Sequence, residues 1–183
     1  VDASEVHRLG KMEGAFRASN AVKVCLDHHM KTTSEGFHHE FIDPTASASS
    51  ELVHDLIAPR MEMNRATAEA LYAGLVDDTG NFRFSNSTPK AHRMAADLLG
   101  RGVDPAATYQ ALYHQGRPER LRLFGRAFET LRLLADGRYG TLCVTRRDLE
   151  ACGATSDDLE GLVNEPLKLR GVEVAGLLQE RED

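Results

Sequence analysis

An Asp and two His stand together at Asp27-His28-His29, directly behind the apolar run of residues 22–26, which only Lys23 interrupts. A short run of that texture predicts a buried strand of a parallel sheet. In open α/β sheets ligands gather beyond the carboxyl ends of the strands, so the tripeptide falls where a site is expected. A carboxylate offers a hard oxygen and an imidazole a borderline nitrogen, a donor set that suits Mn²⁺ or related ions such as Mg²⁺ or Co²⁺. The competing reading is a turn, with Asp27 as a helix cap and both imidazoles in water.

A second group is Asp77-Asp78-Thr79-Gly80-Asn81-Phe82-Arg83, which follows an apolar helical stretch and turns at Gly80. Carboxylates at a helix C-terminus oppose the macrodipole. Two of them there point to a compensating cation, although an ordinary C-cap and surface loop remains the alternative. Arg83 has the fork geometry to grip a phosphate with two parallel hydrogen bonds. Asp2 lies at what would be the tip of a strand upstream. Taken alone it is an ordinary solvated carboxylate.

These groups need a scaffold, and the chain supplies one. A helix is expected from a Ser4 cap through Arg17, with Leu9, Met12, Ala15 and Phe16 inward, and a second strand over residues 37–42 before the Asp43-Pro44 turn. Thr45 or Ser47 should start a helix carrying Leu52, Val53, Leu56 and Ile57. Asn64 should cap another that runs to about Val76 on Ala66, Ala70, Leu71, Ala73 and Leu75. Thr88-Pro89 and Asp104-Pro105 each pair an N-cap with Pro at the first helical position. A longer helix follows Pro118, with Leu121, Phe124, Phe128, Leu131 and Leu134 as one apolar stripe. The texture changes near Asp136-Gly137. Beyond it come a strand over 139–145, a helix opened by Thr145-x-x-Asp148, a turn at Gly153, a helix near Ser156 and a strand with Val172 and Val174, which stops at Glu180-Arg181-Glu182-Asp183. The fold class is therefore α/β, a parallel sheet flanked by helices followed by part of a smaller α/β domain. The expected division is 1–116 for the first domain, 117–135 for a connecting helix and 136–183 for the second.

The bulk numbers narrow the function. The 183 residues are 42% hydrophobic, enough for one core and borderline for a large domain plus part of another. A net charge of -6 with no basic run argues against a long nucleic-acid duplex, which is held through many phosphates. A short substrate held by a metal and a few charges is compatible. Three Cys without paired spacing argue against a disulfide framework or a structural zinc and fit a reducing cytoplasm. No apolar run nears the ~20 residues of a membrane span.

Taken in order, these motifs resemble the DHH phosphoesterase family, most closely its bacterial oligoribonuclease and 3′-phosphoadenosine-5′-phosphate phosphatase branch. The match is carried by Val1-Asp2 with Arg8-Leu9-Gly10, by Leu26-Asp27-His28-His29, by Ile42-Asp43-Pro44-Thr45-Ala46-Ser47 through Leu52, and by Gly74-Leu75-Val76-Asp77-Asp78 through Phe84. Val144-Thr145-Arg146-Arg147-Asp148-Leu149, Glu160-Gly161-Leu162-Val163-Asn164 and Leu169-Arg170-Gly171-Val172 continue it. The resemblance implies a DHH catalytic domain followed by a substrate-binding domain of the DHHA1 type, two Mn²⁺ ions in the complete enzyme, and a short RNA or nucleotide phosphate as substrate. It also implies roles. Asp2 would bridge the two ions, with His28 and Asp78 as further ligands. Asp27 would orient an imidazole, and His29 would face the scissile phosphate as donor or acid. Arg83 would lie near substrate. Apart from the resemblance, Arg146, Arg147 and Arg170 could contact a nucleotide phosphate across an interdomain cleft, with solvated arginines as the alternative. The family's first motif, a His and two Asp, is expected before Asp2, and its glycine-rich C-terminal motif after Asp183. On that expectation the chain is a piece of the enzyme and by itself lacks ligands for the first ion.

Several residues are set aside. His38-His39 on a strand would point to opposite faces. His7, His54, His92 and His114 read as helix surface. Cys25 and Cys143 read as small core hydrophobes, and Cys152 as structural. The stripe from Leu121 to Leu134 reads as a packed link between domains, with a homodimer seam as the alternative. Two other functions compete: a relative within the family such as a pyrophosphatase or single-strand exonuclease, and a non-catalytic nucleotide-binding module.

Overall fold

A computed structural model describes residues 1–30 and 36–180. The mixed α/β chain forms two compact units, Val1–His114 and Gln115–Asp183.

The first unit opens on a 3-10 helix, Val6–Met12, followed by α1 (Glu13–Ala18). The expected continuous helix from Ser4 is broken because Gly10 takes φ 54°, outside helical space. Ser4 caps nothing. It is 1% exposed, and its backbone N–H donates to Asp27. Met12, expected inward, is exposed, as is Ala15. Strands β1 (Val24–Asp27) and β2 (His39–Ile42) pair in parallel, with Val24 opposite His39 and Asp27 opposite Ile42. β1 is buried only at Cys25 and Asp27 while Val24 stays exposed, so it alternates rather than being buried on both faces.

Helix α2 (Ser49–Ile57) begins later than either candidate cap. Thr45 instead donates its N–H and hydroxyl to Asp43 at 2.9 and 2.6 Å, closing the turn before the helix. Helix α3 (Arg65–Asp78) does start at Asn64, whose side chain accepts from Thr67 N–H. Its buried face is Ala68, Leu71, Tyr72, Leu75 and Val76, whereas Ala66 and Ala70, expected inside, face solvent. Thr88 and Asp104 cap α4 (Pro89–Gly100) and α5 (Pro105–Tyr113) as their sequence predicts. Leu71, Leu75, Met94 and Leu98 form the centre of a core shared by α3 and α4.

In the second unit α6 (Pro118–Glu129) leads into β3 (Arg132–Leu134), which pairs antiparallel with β4 (Tyr139–Val144). α7 (Arg146–Cys152) opens on a Thr145/Asp148 capping box and ends at Gly153 with φ 65°. Three short 3-10 turns, Ser156–Leu159, Leu162–Asn164 and Pro166–Lys168, lead to β5 (Val174–Gln179), parallel to β4. The expected helix at Ser156 is thus one 3-10 turn, and Val172 precedes the final strand. The charged end expected at Glu180 to Asp183 lies, past Glu180, outside the described residues.

The stripe read from Leu121 to Leu134 is not one helical face. Thr130 ends the helix: its hydroxyl lies 2.7 Å from the Ala127 carbonyl and accepts from Cys143 N–H at 2.8 Å, handing the chain to β3. Leu123 and Ala127 are the buried pair, Leu121 is 73% exposed, and Leu134 lies on the strand. Leu123 and Ala127 share a core with Leu142, Val144 and Leu162, so α6 packs within the second compact unit. Cys143, expected in the core, is exposed, while Cys25 and Cys152 are buried. No helix among the described residues is long and apolar enough to cross a membrane.

Candidate metal centre

Three chain segments of the first unit meet at the carboxyl end of β1. Asp27 is its last residue, and His28 and His29 follow. Asp2 is tied alongside by its N–H, which donates to the Leu26 carbonyl at 2.9 Å. Asp78 arrives as the last residue of α3. Ser49, at the start of α2 and 3% exposed, donates its hydroxyl to Asp2 Oδ1 at 2.8 Å.

Asp27 is the buried anchor. It is 0% exposed, and Ser4 N–H at 2.6 Å reaches Oδ2 while His29 N–H at 2.8 Å and His29 Nδ1 at 2.7 Å reach Oδ1. Burial alone would raise its pKa, but the hydrogen bonds from His29 and Ser4 outweigh it and bring the carboxyl from 3.8 down to about 2. An ionised Asp27 holds the His29 proton on Nδ1 and leaves Nε2 as the working nitrogen.

His28 is arranged differently. Its Nδ1 lies 3.3 Å from the Ala46 carbonyl, so Nδ1 carries the proton and Nε2 presents a lone pair. That Nε2 is buried and has no hydrogen-bond partner among the described residues. Asp2 Oδ1 and Asp78 Oδ2 each stand 3.6 Å from it, too far for a hydrogen bond and close enough to share an ion. Burial raises the Asp78 pKa; His28 draws it back, and the Asp2 and Asp77 carboxylates push it up further. A lone pair without a donor, facing carboxylates that repel one another, is the environment a divalent cation relieves. The donor set therefore fits a metal.

Asp2, His28 and His29 offer ligand atoms all within 4.8 Å of one another. His29 Nδ1 is 3.5 Å from Asp2 but only 2.7 Å from Asp27. That nitrogen is committed to Asp27, which leaves His29 Nε2 free of that bond, and Asp78 Oδ2 stands 3.6 Å from His28 Nε2.

Among the described residues, no contact seen for the remaining candidates involves Asp2, His28 or Asp78. Arg83 follows the Gly80 turn, exposed, with its guanidinium 5.1 Å from the centre of the Phe84 ring. Arg146 opens α7 and Arg170 precedes β5, both exposed and in the second unit. His54 is not merely solvated, since its Nε2 lies 3.1 Å from Asp97 on α4. His92 stacks on Phe82 at 4.9 Å. Sequence reading missed Ser4 and Ser49. Their contacts to Asp27 and Asp2 span 23 and 47 residues, and no local pattern signals such pairs.

No family model matches the chain. Among curated proteins it is 35% identical over 161 residues to the bifunctional oligoribonuclease and PAP phosphatase NrnA of Thermus thermophilus, covering 86% of this chain and 47% of that protein. It is 27% identical over 169 residues to the protein of the same name from Bacillus subtilis, covering 90% and 53%. The chain thus spans about half the length of the curated relatives it matches. Among solved structures, an exopolyphosphatase-related protein from Bacteroides fragilis aligns with a TM-score of 0.91 at 26% identity, covering 99% of this chain and 54% of that one.

Proposed function

We propose, from the premise that the chain is homologous to the bifunctional oligoribonuclease and PAP phosphatases of the DHH family, that it carries part of the catalytic centre of a metal-dependent phosphoesterase. Its substrates are short oligoribonucleotides and 3′-phosphoadenosine 5′-phosphate. The single observation behind this reading is the buried His28 Nε2, without a hydrogen-bond partner among the described residues, facing Asp2 and Asp78 at 3.6 Å each.

Asp2, His28 and Asp78 would hold the ion, and Mn²⁺ suits their mixed oxygen and nitrogen donors. Bound divalent cations supply an activated water and stabilise the entering and leaving oxygens of the phosphoryl group. The protein's own residues do the rest. Ser49 holds the Asp2 carboxylate through its hydroxyl. Ala46 fixes the His28 tautomer through its carbonyl, and Asp27 fixes that of His29. His29 presents Nε2 to the phosphate as a hydrogen-bond donor when protonated, and can release that proton to the leaving oxygen. Arg83 takes a substrate phosphate in the first unit; Arg146 and Arg170 are candidate phosphate contacts of the second unit taken by itself. Residues 1–116 then correspond to the catalytic domain and 136–183 to the substrate-binding domain. The free Cys25, Cys143 and Cys152 suit work in a reducing cytoplasm.

Asp78→Ala in the complete protein tests the reading. Hydrolysis of a 5′-phosphorylated diribonucleotide in Mn²⁺ should fall on the order of a hundredfold or more. Chelation should abolish it in the wild type, and added Mn²⁺ should restore it. Intact hydrolysis by the variant would overturn the mechanism. Pyrophosphate turned over in preference to the dinucleotide would move the assignment to a pyrophosphatase.

A further inference from the structure

The residues around the centre include one side chain whose hydrogen bonds join two of its supports. Asn86 lies in the loop between α3 and α4, and its Nδ2 donates to the Ser47 carbonyl at 2.9 Å and to the Asp78 carbonyl at 3.0 Å. Ser47 answers with its hydroxyl, which donates to the Asn86 carbonyl at 2.5 Å. The next residue back from Ser47 is Ala46, whose carbonyl faces His28 Nδ1. One amide group thus ties the segment that orients His28 to the helix end that delivers Asp78.

The last four carbonyls of a helix have no partner within it, and around the end of α3 the backbone accounts are nearly closed. Thr79 N–H takes the Leu75 carbonyl, Asn81 N–H that of Val76 and Gly80 N–H that of Asp77. The Asp78 carbonyl is met by Asn86. Both acceptors of the amide are carbonyl oxygens, so only a group with two N–H donors fits, and the amide orientation is set by them. Turned over, Oδ1 would face two oxygens. As it stands Oδ1 is buried and has no partner among the described residues, a cost the native geometry bears to keep the two donations.

We infer that Asn86 is a positioning residue that sets the separation of His28 and Asp78, and through it the affinity of the metal centre. This rests on the metal reading above, and the test separates the two. Asn86→Ala removes both donors. Asn64→Ala is the control, because it removes the N-cap of the same helix α3 and leaves its C-terminal end alone. Two quantities are measured on each protein: Mn²⁺ affinity by calorimetry, and the His28 ring proton shifts by NMR in the metal-free protein. Asn86→Ala should weaken Mn²⁺ binding on the order of tenfold and move the His28 resonances, while Asn64→Ala should do neither. Unchanged His28 resonances in Asn86→Ala, or equal loss of Mn²⁺ affinity in both variants, overturn the inference. If the wild type binds no Mn²⁺ yet the His28 resonances move only in Asn86→Ala, the positioning role stands and the metal reading falls.

Discussion

Asp27→Asn replaces one carboxylate oxygen by an NH₂ at nearly constant volume, in a place where three donors converge. Ser4 N–H lies 2.6 Å from one oxygen, and His29 N–H and Nδ1 lie 2.8 and 2.7 Å from the other. Whichever way the amide turns, its NH₂ meets at least one of them donor to donor. The fall in pKa from 3.8 to about 2 corresponds to about 2 kcal/mol of preference for the ionised form in the folded state. A stranded buried N–H adds about 1 kcal/mol or more, so Asp27→Asn should destabilise the first unit by about 3 kcal/mol at pH 7. The folded pKa lies below the unfolded one. This stabilisation is therefore complete above about pH 4 and drains away as pH falls through about 2. Wild type and variant should differ by about 3 kcal/mol at pH 7 and by about 1 kcal/mol at pH 2. Urea titration followed on the Leu71 and Leu75 methyls reads the first unit, and the Leu142 and Leu162 methyls read the second. A multi-unit chain has no single unfolding free energy. A variant as stable as wild type at pH 7, or a difference that does not shrink in acid, would refute the assignment of Asp27 as an ionised anchor.

Other perturbations probe other links. Gly140→Ala would set a Cβ 2.7 Å from the Pro166 side chain within β4 and should destabilise the second unit by about 1–3 kcal/mol, read by urea titration. Leu75→Ala empties a side chain that is 0% exposed at the centre of the first core; about 2–5 kcal/mol should be lost there, with the second unit's transition unmoved. Thr145→Ala breaks the capping box of α7 and should cost about 1 kcal/mol in thermal or urea unfolding of the second unit. Ser49→Ala removes the hydroxyl held by Asp2 and should weaken Mn²⁺ binding about tenfold by calorimetry, with stability changed by less than the affinity.

What the sequence makes legible is what is encoded within a few residues. Asn64, Thr88-Pro89, Asp104-Pro105, the Thr145/Asp148 box and Gly153 each act on backbone groups two to four positions away, and each stands where its residue type predicts. Periodicity misleads where two elements share one apparent period. The spacing from Leu121 to Leu134 continues across Thr130 because Leu131, just before β3, and Leu134, at its end, supply the next two apolar positions. Only Thr130's bond to Cys143, 13 residues on, reveals the break. Cys143 itself looks like core on composition. A strand between two neighbours has one face toward α6 and its core, and residue 143 falls on the other.

The same distinction runs through the site. Asp27, His28, His29 and Asp78 could be found because each combines a reactive side chain with a strand or helix end, which is a local signature. Their supports have none. Ser4 acts through a backbone N–H that every residue but Pro possesses, and Ser49 through a common hydroxyl. Asn86 reads as an ordinary loop asparagine until the Ser47 carbonyl, 39 residues earlier, is placed beside it. The inferred positioning falls to such residues, because His28 Nε2 and Asp78 Oδ2 stand 3.6 Å apart with no hydrogen bond between them to hold that separation. A carboxylate ligand can be supplied by any Asp at a chain end. Holding it at that separation takes a backbone carbonyl pinned from the side, and the pinning residue can sit anywhere in the chain.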